Sequence, residues 1–198
     1  MENAEVTLVE LIRTHGVIRS SDLASLGIPR VALTRAVRRG QLVRVSRGVY
    51  GLREFRSEHG TLAAAAIRVP KGVICLLSAL QFHGLTTQAP FEVWVAIANK
   101  AAAPQIDYPP VRIVRFSDAT LSLGVEEHTI DGVAIRVTSI AKTVVDCFKF
   151  RNKIGMDVAL ESLREAWRDK RVTSQDIWHC AKVCRVANVM RPYLESLT

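Results

Sequence analysis

Nine arginines fall between positions 13 and 53, at 13, 19, 30, 35, 38, 39, 44, 47 and 53, and the same stretch holds a single acid, Asp22. Its charge of +8 equals the formal net charge of the whole chain, and the remaining residues balance at 18 bases against 18 acids. A guanidinium stays charged at physiological pH and presents a planar fork of donors that fits phosphate oxygens and the O6/N7 edge of guanine. A cluster with arginine and no lysine suits an anionic partner held by directed, charge-assisted hydrogen bonds. The competing reading is a solvated basic face that docks on protein. The order of elements around the arginines favours duplex DNA.

Catalytic chemistry is poorly represented. No serine follows a glycine by two positions, which removes the nucleophile elbow, and no loop ends in Gly-Lys-Ser or Gly-Lys-Thr to cradle a phosphate. The residues two before each lysine are Val69, Ala98, Ile140, Cys147, Arg151, Arg168 and Cys180. None is acidic, so the acid-x-lysine core of common metal-dependent nucleases is missing. His179, Cys180 and Cys184 form the one metal-like cluster, short of the usual four zinc ligands, and read as small buried residues. Asp146 beside Cys147 lacks a nearby histidine in sequence to activate the thiol. His83 before Gly84 suits the last turn of a helix, where the dipole favours a cation. No catalytic residue, metal or cofactor is expected.

The arginines need a scaffold. Val6, Leu8, Val9, Leu11 and Ile12 recur at helical spacing up to a stop at His15-Gly16, which gives a first helix. Ser20-Ser21-Asp22 offers N-cap side chains for a short second helix carrying Leu23 and Leu26 and closed by Gly27. Ile28-Pro29 introduces a third helix from about Pro29 to Arg39, ended by Gly40. On a helical wheel Leu33, Ala36, Val37 and Gly40 share the inner side, while Val31, Arg35 and Arg38 face away, flanked by Thr34 and Arg39. Leu42-Val43-Arg44-Val45 and Val49-Tyr50-Gly51-Leu52 read as two strands around a turn at Ser46-Arg47-Gly48. This hairpin is a wing that offers Arg44 and Arg47 to phosphates or the minor groove. The expected DNA-facing set is Arg30, Val31, Thr34, Arg35, Arg38, Arg39, Arg44 and Arg47.

A polar connector from Glu54 to His59 and an alanine- and valine-rich sequence from Gly60 onward put a boundary near residue 55. The expected organisation is a winged helix-turn-helix domain over 1–54 and a mixed domain over 55–198. The latter reads as a helix over Thr61 to Arg68, a short strand or lead-in at Val73-Ile74-Cys75, and a helix over Leu76 to Phe82. Strands follow over Phe91 to Ala98, Val111 to Phe116 and Val133 to Val137. Asp131-Gly132 turns Glu126 to Ile130 back into the last of these. Helices come next over Ile140 to Phe150 and Asp157 to Arg168, then one opened by the capping-box spacing Thr173-x-x-Asp176, and a last one ending near Leu197. The fold class is α+β, a small sheet with C-terminal helices.

The 198 residues are 48% hydrophobic and 23% charged, which supports a buried core and excludes a disordered chain. The longest apolar runs, Leu62 to Ile67 and Val93 to Ala98, have six residues each and cannot span a bilayer. The acidic start at Glu2 and Glu5 lacks the basic and apolar regions of a secretory leader. A cytoplasmic location is expected, with Cys75, Cys147, Cys180 and Cys184 as free thiols.

The string from Gly27-Ile28-Pro29-Arg30 to Gly40-Gln41-Leu42-Val43-Arg44-Val45-Ser46-Arg47-Gly48-Val49-Tyr50 resembles the N-terminal winged helix-turn-helix of AbiEi-type antitoxins from bacterial type IV toxin-antitoxin systems. Leu77-Ser78-Ala79-Leu80-Gln81-Phe82-His83-Gly84-Leu85-Thr86, the strand Val93-Trp94-Val95-Ala96-Ile97, and the segment from Thr138-Ser139-Ile140-Ala141-Lys142 through Thr143-Val144-Val145-Asp146-Cys147 to Arg151 are similar to their second domain. The resemblance spans most of residues 5 to 170. It implies a repressor that binds repeats in its own promoter through Arg35, Arg38, Arg44 and Arg47, and a C-terminal domain that counters a nucleotidyltransferase-type toxin. It carries over no catalytic residue. Paired helix-turn-helix modules suit an inverted repeat in double-stranded operator DNA, bound by a homodimer. The rival readings are a winged-helix regulator whose second domain senses a small molecule or dimerises, and a DNA-targeted nuclease.

Overall fold

The computed structural model describes residues 2–15, 17–46, 48–52, 59–106 and 108–197. The chain divides into two compact units. One comprises Met1–Pro70, Ile106–Pro109 and His128–Ile135, and the other Lys71–Gln105, Pro110–Glu127 and Arg136–Thr198. The architecture is α+β, with a small three-stranded sheet, a larger sheet and C-terminal helices.

The first unit opens with α1 (Glu2–His15), β1 (Val17–Arg19), α2 (Arg30–Arg38), β2 (Leu42–Ser46) and β3 (Val49–Leu52), followed by α3 (Gly60–Arg68). β3 lies between β1 and β2 and pairs antiparallel with both, so that Tyr50 stands opposite Ile18 on one side and Arg44 on the other. Leu8 and Ile12 of α1, Leu23 and Ile28, Ala32, Leu33 and Ala36 of α2, and Leu42 and Leu52 of the strands close one core. Each element contributes its apolar side because none could bury it alone.

Three features differ from the sequence expectation. Residues 20–27 form successive turns rather than a second α-helix. One helical bond joins the Leu26 N–H to the Asp22 carbonyl at 3.2 Å, and the closure follows at once: Gly27 N–H to Ala24 O at 3.2 Å and Ile28 N–H to Leu23 O at 2.9 Å. Gly27, at φ +66, supplies the left-handed residue this closure demands. With room for a single turn, the segment buries Leu23 but leaves Leu26 48% exposed. Secondly, Val17 to Arg19 add a third strand to the wing sheet. Thirdly, Val6 is exposed, and Glu5 takes the place on the buried line of α1 that continues through Leu8 and Ile12. The stop at Gly16, the wing-tip Arg47 and most of the connector, 53–58, lie outside the described residues.

The second sheet runs β6-β5-β4-β8-β7, from β4 (Val73–Ile74), β5 (Val93–Ala98), β6 (Val111–Phe116), β7 (Val125–Ile130) and β8 (Val133–Thr138). β5 and β6 are parallel from Val93↔Val111 to Ala98↔Phe116. β4 is antiparallel to β5 and parallel to β8, the latter through the single pair Ile74↔Val137. Asp131 and Gly132 both take positive φ, as the tight turn between β7 and β8 requires. α4 (Leu76–Phe82), α5 (Asp118–Ser122), α6 (Ile140–Lys149), α7 (Arg151–Ile154), α8 (Met156–Arg168), α9 (Ser174–Cys184) and α10 (Ala187–Glu195) belong to the second unit, whereas the β7–β8 tip, His128–Ile135, is grouped with the first. Val144, Val145 and Phe148 of α6 join Ala159 and Leu163 of α8, Ile177 and Ala181 of α9 and Val73, Trp94 and Val114 of the sheet in one core. Among the described residues no helix is long and apolar enough to cross a membrane.

Candidate nucleic-acid interface

Pro29, in extended backbone at φ −65 and ψ 138, precedes α2. At the other end Gly40, at φ +71, closes the helix, its N–H on the Val37 carbonyl at 3.0 Å and the Gln41 N–H on the Ala36 carbonyl at 3.0 Å. Between these stops Ala32, Leu33 and Ala36 are buried against α1 and the strands, which turns the opposite side outward. Val31 is 49% exposed. Arg30, Thr34, Arg38 and Arg39 are also exposed, and Arg35 is half-buried. The Thr34 hydroxyl donates to the Arg30 carbonyl at 3.3 Å. Arg44 is exposed on β2, and Arg47 falls outside the described residues.

The arginines divide by what they meet. Glu5 of α1 is 4% exposed, and Arg39 donates from Nη1 to its Oε2 at 2.6 Å, while Arg35 Nη1 stands 4.0 Å from its Oε1. Two members of the expected DNA-facing set therefore lie at an internal carboxylate beside the C-terminal end of α2. Arg19 donates from Nη2 to the Ile67 carbonyl at 3.3 Å. Arg30 and Arg38 share the outer strip with Val31 and Thr34. Sequence reasoning missed Glu5, although a signal existed: an acid three and seven positions before Leu8 and Ile12, on a line where helical period calls for apolar residues.

The second unit's reactive side chains are buried and mutually satisfied. Lys142 and Asp146 of α6 form an ion pair, and the Lys142 ammonium lies 4.6 Å from the centroid of the Phe116 ring. Cys184 Sγ stands 3.9 Å from Asp146 Oδ1. Burial pushes the Asp146 carboxyl up to about 6, against the lowering effect of Lys142. Burial, with Asp146 adding to it, holds the Cys147 and Cys75 thiols far above their ordinary range, and burial raises Cys184 to about 11. A thiol in that condition is a packing group, since the thiolate is the nucleophile. All four cysteines are buried and unbridged. Among the described residues no group of three or more His, Cys, Asp or Glu is placed to hold a metal ion, His179, Cys180 and Cys184 included. His83 follows α4 and is buried, its Nε2 2.7 Å from the Thr138 carbonyl.

Residues 6–53 match the family model described as transcriptional regulator, AbiEi antitoxin. The matched segment carries α2 with its outer strip and ends one residue past β3. No curated protein matches the chain.

Proposed function

We propose that this protein is a DNA-binding antitoxin of a type IV toxin-antitoxin system, in which residues 1–54 hold double-stranded operator DNA and repress the operon while residues 55–198 counter a nucleotidyltransferase-type toxin. The observation that carries the reading is the outward strip of Arg30, Val31, Thr34 and Arg38 on a helix backed by its own core, inside the segment similar to AbiEi antitoxin regulators. On this reading α2 enters the major groove, where Arg38 forks onto guanine and the methyls of Val31 and Thr34 meet thymine. Arg30 and the wing residues Arg44 and Arg47 meet phosphates, while Arg35 and Arg39, with Glu5 between them, leave a single net positive charge behind the strip. Two copies on half-sites one duplex turn apart, about 34 Å, would read an inverted repeat. Both halves act by binding, with no cofactor and no covalent chemistry.

Fluorescence anisotropy with the protein's own promoter and a scrambled duplex of equal length tests the first half. Preference for the promoter and a steep loss of affinity with salt, of log-log slope roughly −5 if six arginines neutralise phosphates, are expected. Equal affinity for both duplexes removes the repressor. Co-expression of the full chain with a co-transcribed nucleotidyltransferase-like protein tests the second half. Growth relief is expected; promoter binding with no relief leaves a transcription regulator and removes the antitoxin.

A further inference from the structure

We propose that Glu5 is a positioning residue that withholds Arg39 from DNA and fixes the orientation of α2, a deepening that rests on the duplex-binding reading above. Glu5 is 4% exposed on the same line of α1 as Leu8 and Ile12, both fully buried. An ionised carboxylate in such a place is held only while a cation and hydrogen bonds compensate it. Arg39 supplies both at 2.6 Å, and Arg35 adds attraction from 4.0 Å. Moving Arg39 to a solvated phosphate would exchange a partly buried charge-assisted bond for an exposed one and strand Glu5 beneath the helix. Arg39 therefore stays on Glu5 when DNA is bound.

The geometry gives that tether a consequence for recognition. Arg39 is the C-cap residue of α2, just before Gly40, so its bond to α1 pins the end of the helix. Arg35, one turn earlier, lies on the same side of α2 near the same carboxylate. Two anchors one turn apart fix the rotation of α2 about its axis. That rotation aims Val31, Thr34 and Arg38, which lie beside the two anchors on the exposed side of the helix. The Glu5 carboxylate also places negative charge behind the C-terminal end of α2, where an unneutralised pair of arginines would hold phosphate without regard to sequence.

The test is salt-dependent anisotropy on the promoter duplex and on a random-sequence duplex, with the full chain, the charge-neutral pair E5Q/R39Q, and a second neutral pair, E5L/R39Q, that extends the apolar line of α1 should the first fold poorly. Removing one arginine from a phosphate flattens the log-log slope by about 0.9. The proposal expects a random-duplex slope no flatter than the parent's in both pairs, since Arg39 leaves no phosphate and Arg35 loses its carboxylate, together with a promoter-to-random affinity ratio about tenfold lower, the scale of a single mismatched base pair. A slope flatter by about 0.9 would place Arg39 on phosphate in the parent protein and overturn the proposal. An unchanged ratio would make the tether merely structural and overturn it equally. If the parent protein binds neither duplex, the DNA-binding reading itself has failed, and that outcome is distinct from both.

Discussion

Lys142 and Asp146 face each other one turn apart on α6, with side chains 0% and 1% exposed. The ring of Phe116 and the thiol of Cys184 close the surroundings. Replacing Lys142 by Met strands the carboxylate and should cost about 3–5 kcal/mol of stability at neutral pH. K142M/D146L, which removes both charges, should recover most of that loss. Urea unfolding of the three proteins measures it; a single variant as stable as the parent would mean that the pair does not hold the core.

The same pair makes a pH prediction whose sign runs against ordinary acid denaturation. Burial lifts Asp146 from 3.8 to about 6, even with Lys142 pulling it down. The folded state therefore takes the proton before the unfolded state does. This group's contribution to stability is complete below the unfolded value and is lost as pH rises through about 6. Relative to Asp146→Asn, the parent protein should gain stability on going from neutral pH to about pH 4. In K142M the carboxyl should titrate higher still, because the largest lowering influence is gone. Carbon-detected NMR of the side-chain carboxyl reads both values directly.

Thiol labelling gives a third expectation. With Cys75, Cys147, Cys180 and Cys184 all buried and all pushed up by burial, the native protein should react with Ellman's reagent only as fast as it opens, and all four thiols should appear on addition of denaturant. A native thiol that labels within seconds would contradict the packing around α6 and α9.

On the outer strip of α2, Arg38→Ala should weaken promoter binding by about 1–3 kcal/mol and relax preference at one base position. Arg30→Ala should weaken binding to all duplexes alike and flatten the salt slope by about one. Full-chain R38A should still relieve toxin-induced growth arrest if the second domain acts on its own account. Loss of relief together with repression would tie the two activities to one surface.

The start of α9 offers a local stability test. Thr173 Oγ1 accepts from the Asp176 N–H at 3.1 Å while Asp176 Oδ2 accepts from the Thr173 N–H at 3.2 Å, and the Thr173 hydroxyl holds the Asp176 carboxyl below its usual value. Thr173→Ala should cost about 1 kcal/mol, seen in the urea midpoint with the slope unchanged.

Much of this architecture was legible in residue order. The hydrophobic periods of α8 and the alternation of β8 gave those elements, and Thr173 with Asp176 marked the start of α9 through the spacing of two side chains that cap each other. α5 and α7 escaped because five and four residues give no period to detect. Residues 20–27 carried helix-start residues, yet Gly27 stops the chain after one turn, below the length at which helical bonds offset their nucleation. The outward strip of α2 followed from the wheel, but which arginines an acid would claim did not, because Glu5 is far from them in sequence and only the packing of α1 on α2 brings it there. Lys142 and Asp146 were hidden for a different reason: Ala141 through Phe148 are all buried, so α6 has no wet face against which a polar pair would stand out.

β4 supplies only Val73 and Ile74, yet it is the middle member of the larger sheet, and its ladder to β8 has one rung. The β5–β6 ribbon and the β7–β8 ribbon are thus panels joined along a seam almost bare of backbone stitching. The β5–β6 line, by contrast, has six rungs, from Val93↔Val111 to Ala98↔Phe116, so a force opening the sheet would part β4 from β8 before it frayed that ribbon.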